Sequence, residues 1–308
     1  MILSPATVRP AYRPYLAEVV GVRRLSPSFV RISFSGPDFE HFGTAGPDQR
    51  IKLLLPHPDG SFSDIGQADG AGDWYDRWRA LPGPARNPFR TYTVRSLAAG
   101  VLDVDFVLHH DPGPAGAWAQ SASAGDRVVI VGPDRRSTLP IGGVDFHPGT
   151  ATRLLLVGDE TAVPAICGIL ESLDDDHDVD AFVEVPTAGD ALAPSVTGSA
   201  RVHWLAREGR AHGMLLQAAV HAWTRESGAL LARAAAPRPQ DLADIDVDRE
   251  LLWESPVADP DGEFAAWMAG EAATIKSLRR LLVSELGVDR RRVAFMGYWR
   301  AGQAERTG

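Results

Sequence analysis

The chain has 308 residues, 44% hydrophobic and 23% charged, and its 31 Lys+Arg against 40 Asp+Glu leave a net charge of −9. That length fits two domains of about 100–200 residues, each able to bury its own core, and the balanced composition excludes wholesale disorder. The negative balance disfavours non-specific binding to nucleic acid or an anionic membrane, since either needs a basic face. Any anionic ligand must be held by a local cluster of positive groups.

The lone cysteine, Cys167, excludes an intrachain disulfide framework and a Cys-ligated iron–sulfur cluster. Within the apolar run 165–170 it reads as a small buried hydrophobe. The first residues carry no apolar stretch of signal-peptide length and are broken by Pro5, Pro10 and Pro14. Nowhere do about 18 uncharged apolar residues run together. The expectation is a reduced, soluble, cytoplasmic protein without a membrane span.

The first half reads as strands. Val30, Ile32 and Phe34 alternate with Arg31 and Ser33 before the turn Gly36-Pro37-Asp38. Short runs at 51–55, 89–95, 102–109 and 126–131 follow, separated by Gly/Pro/Asp-rich stretches such as 56–60 and 81–87. Such spacing predicts an antiparallel barrel or sandwich. From 153 the pattern changes: a continuous apolar strand (153–157), Gly158-Asp159-Glu160-Thr161, then a helix over 162–173 with Pro164 in its first turn. Further strands are predicted at 180–185, 201–205 and 292–298, and an amphipathic helix over 271–286 closed by Gly287. This alternation predicts a doubly wound, parallel-sheet α/β domain. The Gly/Pro-rich segment 140–150 marks the boundary, giving domains 1–147 and 148–308. The stretch 234–261 reads as an excursion between elements, and the acidic run 174–180 lacks the glycine and distal glutamate of an EF-hand loop, so it reads as a solvated turn.

Four strings carry chemistry. In Arg90-Thr91-Tyr92-Thr93-Val94-Arg95, Arg90 and Tyr92 project to one face of a strand. That face is either an ordinary edge or a phosphate-binding guanidinium beside a ring that packs on a planar cofactor, with Thr93 able to bond ring heteroatoms. His109-His110-Asp111-Pro112-Gly113-Pro114-Ala115-Gly116-Ala117-Trp118 ends a strand and starts a helix. It is either a plain turn with Trp118 in the core, or a cradle whose open N–H groups meet a diphosphate. The adjacent histidines would point to opposite faces, so they read as structural rather than as metal ligands. Asp159, Glu160 and Thr161 follow a buried strand, where α/β domains bind nucleotides, but no GxGxxG is present and the two acids would repel a diphosphate lying on the turn. Gly270 and Glu271 form another turn into a helix, where a glutamate also suits the helix dipole.

Together these strings, with Gly-Tyr-Trp-Arg at 297–300, resemble the siderophore-interacting proteins, flavin-dependent ferric-siderophore reductases on the ferredoxin–NADP reductase scaffold. The resemblance spans almost the whole chain. It implies an N-terminal six-stranded antiparallel FAD-binding barrel and a C-terminal NAD(P)H domain. It further implies that Arg90, with Thr91 beside it, holds the FAD diphosphate, that Tyr92 lies against the flavin and that Thr93 bonds near its N5. His109, Asp111 and the turn of Gly113, Ala115, Gly116, Ala117 and Trp118 would cradle the diphosphate. Asp159, Glu160 and Thr161 stand where the scaffold binds nicotinamide nucleotide, with Gly270 and Glu271 bordering the cleft. The family's siderophore site is a small basic cluster, for which Lys52, Arg135 and Lys276 are the candidates here, each equally readable as a solvated surface cation.

The implied chemistry is passage of electrons from NAD(P)H through FAD to an Fe(III) chelate, with no protein iron ligand and no protein metal site. The expected partners are a ferric siderophore and no macromolecule, the protein acting as a monomer. A reductase that serves a protein acceptor, and a non-catalytic binder of flavin or siderophore, are the alternatives. Glu184 is placed to bond a ribose hydroxyl and Arg201 or Arg207 to meet a 2′-phosphate, which leaves NADH and NADPH both open.

Overall fold

The computed structural model describes residues 8–109, 112–196, 198–256 and 262–302. They divide into two compact units, one holding the described residues up to Leu25 with Phe29–Val144, the other holding Ser26–Ser28 with the described residues from Asp145 onward.

The first unit is an antiparallel curled sheet. Its strands are β1 (Tyr12–Arg24), β2 (Phe29–Ser35), β3 (Arg50–Leu54), β4 (Phe89–Thr93), β5 (Ser96–Ala98), β6 (Val101–Val107) and β7 (Arg127–Pro133), with helices α1 (Trp74–Ala80) and α2 (Pro114–Ser121). The spatial order is β4-β3-β7-β1-β2-β6-β5, so there are seven strands among the described residues rather than the expected six. The extra one is β5. It folds back on β6 through Ala99 and Gly100, both at positive φ (50° and 76°), as a two-residue hairpin requires. The longest strand, β1, lies where the sequence shows no clear alternation. It starts across Pro14 and shifts register between Val19 and Gly21, yet it pairs with both β2 and β7.

Inward residues of β2 and β6 meet in register, Phe34 opposite Leu102 and Ile32 opposite Val104, and all four are buried. They form the barrel core with Tyr15, Ile51, Phe106 and Ile130. The outer face of β3, β4 and β7 has a second small core, in which Leu54, Phe89, Val129 and Val131 pack with Trp78 of α1.

The second unit contains β8 (Arg153–Gly158), α3 (Val163–Ser172), β9 (Asp178–Val185), β10 (Ser199–Ala206), α4 (Met214–Glu226), α5 (Gly228–Arg233), β11 (Trp253–Glu254), β12 (Phe264–Glu271), α6 (Ala272–Arg279) and β13 (Val293–Trp299). The sheet order is β10-β9-β8-β12-β13-β11. The first five strands form the expected parallel sheet, and the two-residue β11 adds an antiparallel edge on β13. β11 is a two-residue edge contributed by the excursion after α5. Leu155 and Val157 point into a core closed by α4, α5 and α6, while Leu154 and Leu156 on the opposite face are equally buried. Cys167 is buried in α3. Beyond α6 the helix continues as a π-type turn (Arg280–Glu285) and ends before Gly287 at φ 73°.

The chain starts this sheet at β8 in its middle, winds outward through β9 and β10, and then returns to the other side of β8 as β12. The direction reverses between β8 and β12. In open α/β sheets, ligands bind beyond the carboxyl ends of the strands at such a reversal.

Candidate functional site

In the first unit the two strings of interest converge on β6. Tyr92 of β4 and Trp118 of α2 both pack on Phe106, with ring centroids 4.3 and 5.9 Å apart respectively. Trp118 also stacks on Phe34, so its ring belongs to the edge of the barrel core. Thr93 is buried opposite Arg50, Arg90 is half-buried and donates from Nη1 to the Phe89 carbonyl (2.7 Å), and Thr91 accepts from Lys52 Nζ (2.6 Å). Gly113 caps α2 with nothing within 4 Å of where a Cβ would stand, and Pro114 fills the first helical position without an N–H. Ala115 and Gly116, in the first turn of α2, leave N–H groups without helical partners, while Ala117 N–H bonds the Gly113 carbonyl. His109 is exposed just past β6. Asp111, like His110, lies outside the described residues. A guanidinium, an aromatic face, hydroxyls and an open helix start form a donor set that fits FAD.

Of the basic candidates, Lys52 and Arg135 belong to the first unit and Lys276 to the second. Lys52 is held at Thr91 with its ammonium 5.7 Å from the Phe89 ring centroid. Arg135 is exposed, two residues past the end of β7. Lys276, in the second unit, is paired with Asp244 at 2.7 Å.

In the second unit the carboxyl ends of β8, β9, β10, β12 and β13 carry a dense charged cluster. Gly158 ends β8 where a Cβ would lie 2.4 Å from Ala162 Cβ and 2.9 Å from the Ala269 carbonyl, so only glycine permits this turn. Asp159 follows and is fully enclosed. Its Oδ1 accepts from Thr161 N (2.9 Å) and Oγ1 (2.5 Å); its Oδ2 accepts from Glu271 N (2.7 Å) and Trp299 Nε1 (2.9 Å). One carboxylate thus ties together the ends of β8, β12 and β13. Gly270 makes this possible: at φ 154°, a Cβ there would stand 2.5 Å from Asp159 Oδ2. The Glu271 side chain turns into its own helix and caps α6 by accepting from Thr274 N (2.9 Å).

Glu160 points the other way. Arg207, just past β10, donates to both its oxygens at 2.7 Å and lies 3.4 Å from Glu184 Oε1. His212 approaches Glu160 at 3.4 Å and Asp159 at 3.6 Å, without hydrogen-bond alignment to either, and meets Trp299 edge-on at 4.9 Å. Burial raises the Glu160 carboxyl, but His212 and Arg207 outweigh it and hold the group at about 2. For Asp159 burial and the neighbouring Glu160 charge win, and its pKa is pushed up. Burial lowers His212, but the two carboxylates prevail and raise it, favouring the charged imidazolium.

The three residues that the sequence offers to a nucleotide's ribose all have partners within the second unit. Glu184 is completely buried and caps α4, accepting from Gly213 N (2.7 Å) and Leu216 N (3.0 Å), which occupies both its oxygens. Arg201 pairs with Asp180 and Asp178 at the amino ends of the strands, away from the reversal. Arg207 is committed to Glu160. Sequence reading did not single out His212 or the indole of Trp299; the only signal was the membership of Trp299 in the string 297–300.

A curled antiparallel sheet followed by an α/β sheet whose strand order reverses between β8 and β12 is the ferredoxin reductase-like fold. Residues 18–137 match the siderophore-interacting FAD-binding domain, and residues 151–302 match the family described as siderophore-interacting protein. An uncharacterised protein of Mycobacterium tuberculosis is 32% identical over 303 residues, covering 96% of this chain and 93% of that one. The crystal structure of a siderophore utilization protein from T. fusca superposes with a TM-score of 0.69 at 29% identity, covering 97% of this chain and 98% of the other. The ferric vibriobactin reductase ViuB of Vibrio cholerae is 24% identical, covering 95% and 91% of the two chains. The chain belongs to the siderophore-interacting protein family, and its first unit is an FAD-binding domain. Among the described residues no helix is long and apolar enough to cross a membrane.

Proposed function

We propose that this chain is an NAD(P)H-dependent ferric-siderophore reductase. The observation that carries the reading is the pairing, in one chain, of an FAD-binding unit with an α/β sheet that reverses between β8 and β12, over nearly the full length of a relative named as a ferric vibriobactin reductase. FAD, when bound, supplies the conversion between two-electron and one-electron transfer that no side chain can perform. In net terms one NAD(P)H gives up a hydride, two Fe(III) centres each gain one electron, and one proton is released. Iron then leaves the chelate because hard oxygen donors hold Fe(II) far less tightly than Fe(III).

The chain's own residues bind and orient. Arg90 and the first turn of α2 would hold the FAD diphosphate, Tyr92 would offer its ring to the planar part and Thr93 its hydroxyl to the flavin. The Asp159 tie holds the ends of β8, β12 and β13 in a fixed frame for the nicotinamide nucleotide. Lys52 and Arg135, both in the first unit, supply positive charge toward an anionic chelate.

Purified protein should be yellow, bleach on anaerobic addition of NADH or NADPH, and recolour on addition of a ferric siderophore while a chromogenic Fe(II) trap develops. Bleaching without recolouring by any hydroxamate, catecholate or citrate chelate would defeat the assignment of substrate.

A further inference from the structure

The two arginines that could receive a 2′-phosphate are both committed, and the carboxylate expected to meet the ribose is buried. What the structure leaves at the rim instead is Glu208. It follows Arg207 directly beyond β10 and is exposed, with Oε1 accepting from Ala188 N (2.8 Å) in the loop after β9. Its other oxygen has no partner among the described residues. The backbone of Glu208 sits in the left-handed region (φ 49°), an unfavourable place for a glutamate. It is held there by continued pairing of Arg207 N to the Val185 carbonyl (2.9 Å) and Glu208 N to the Pro186 carbonyl (3.1 Å). A strained, anchored carboxylate with one free oxygen therefore stands at the ends of β9 and β10. That is the side of the reversal where this class of sheet places the adenosine ribose.

We infer that Glu208 accepts the ribose hydroxyls of the nucleotide and makes the protein selective for NADH over NADPH. The inference rests on the nicotinamide-nucleotide reading above. A 2′-phosphate adds about two negative charges beside Glu208, above the buried carboxylates Glu160 and Glu184. The cation nearest them, Arg207, can turn outward only by giving up both of its 2.7 Å bonds to the buried Glu160. Arg210, two residues beyond Glu208, has its guanidinium turned back onto the Arg207 carbonyl (3.1 Å).

The test is calorimetric titration of the flavin-loaded protein with NAD+, NADP+, 5′-ADP and 2′,5′-ADP, so that binding is read without turnover. NAD+ and 5′-ADP should bind at least tenfold more tightly than their 2′-phosphorylated counterparts. Glu208→Gln keeps an acceptor for Ala188 N while removing the charge. It should shrink that ratio at least fivefold with the melting temperature unchanged, whereas a merely structural role would leave the ratio where it was. Equal or tighter binding of NADP+, or a ratio unmoved by Glu208→Gln, overturns the inference while leaving a dinucleotide domain in place. Failure of all four probes to bind would overturn the nucleotide reading itself.

Discussion

Replacing Glu160 with Gln tests the charged cluster directly. The wild-type carboxylate is 2% exposed and receives two 2.7 Å bonds from an Arg207 side chain that is itself 13% exposed. Removing one partner of a buried ion pair costs about 3–5 kcal/mol, because the other charge stays desolvated. Linkage gives a figure of the same size. A carboxyl held at about 2 in the fold against 4.5 when unfolded contributes roughly 3 kcal/mol at neutral pH. Two effects reduce the loss: Arg207 keeps Glu184 at 3.4 Å, and Asp159 is relieved of a like charge. The expected cost of Glu160→Gln is therefore about 2–3 kcal/mol at pH 7, read from the urea midpoint of the unit holding residue 160 at unchanged slope. The sign with pH is fixed by the depressed folded value. The contribution is fully present above 4.5, falls as the unfolded carboxyl protonates, and is gone below about 2. At pH 3 the gap between wild type and variant should have shrunk to about half. A variant within 0.5 kcal/mol of wild type at pH 7, or a gap that does not change between pH 7 and pH 3, would show that Glu160 and Arg207 do not form the pair described.

Other outcomes follow from the same geometry. Arg90→Ala removes a charge-assisted contact worth about 1.5–3 kcal/mol and should weaken FAD binding roughly 10- to 150-fold, measured as flavin released on gel filtration; full flavin retention would displace the diphosphate from Arg90. Gly270→Ala drives a Cβ to 2.5 Å from Asp159 Oδ2 and should cost about 2–4 kcal/mol with blunted nucleotide binding, and a melting temperature equal to wild type would refute the tie. Lys52→Ala should raise the KM for the ferric chelate several-fold in steady-state assays, and stopped-flow flavin bleaching by nucleotide should keep its rate.

Much of the fold is legible in the chain because period-2 alternation and continuous apolar runs carry it. Val30, Ile32 and Phe34 do face the barrel core, and the apolar run at 153–157 is a central strand buried on both faces. What the chain conceals has local causes. β1 hides behind Pro14 and a register shift, since its pairing on both sides is decided by β2 and β7. β5 is three residues long and exists through a hairpin turn whose Ala99 carries no turn signature. β12 is rich in small residues, Ala265, Ala266, Ala269 and Gly270, in place of the branched apolar run that marks a strand, and is fixed by its pairing with β8 and β13 on either side.

The site divides along the same line. That Asp159 and Glu160 crowd one turn, and that two acids there oppose a diphosphate, follows from four consecutive residues. Their partners do not. Arg207 is 47 positions from Glu160, and the two meet only because the sheet order sets β9 alone between β8 and β10, a gap of about 10 Å that an arginine can span. Glu184 sits on that intervening strand, so the arginine crossing it must pass a carboxylate already spent on the start of α4. An arginine that sequence logic offers to a phosphate is thereby turned into internal counter-charge, and the outward-facing charge at that edge passes to Glu208. In this sheet, the order of the strands decides which cations remain for a ligand.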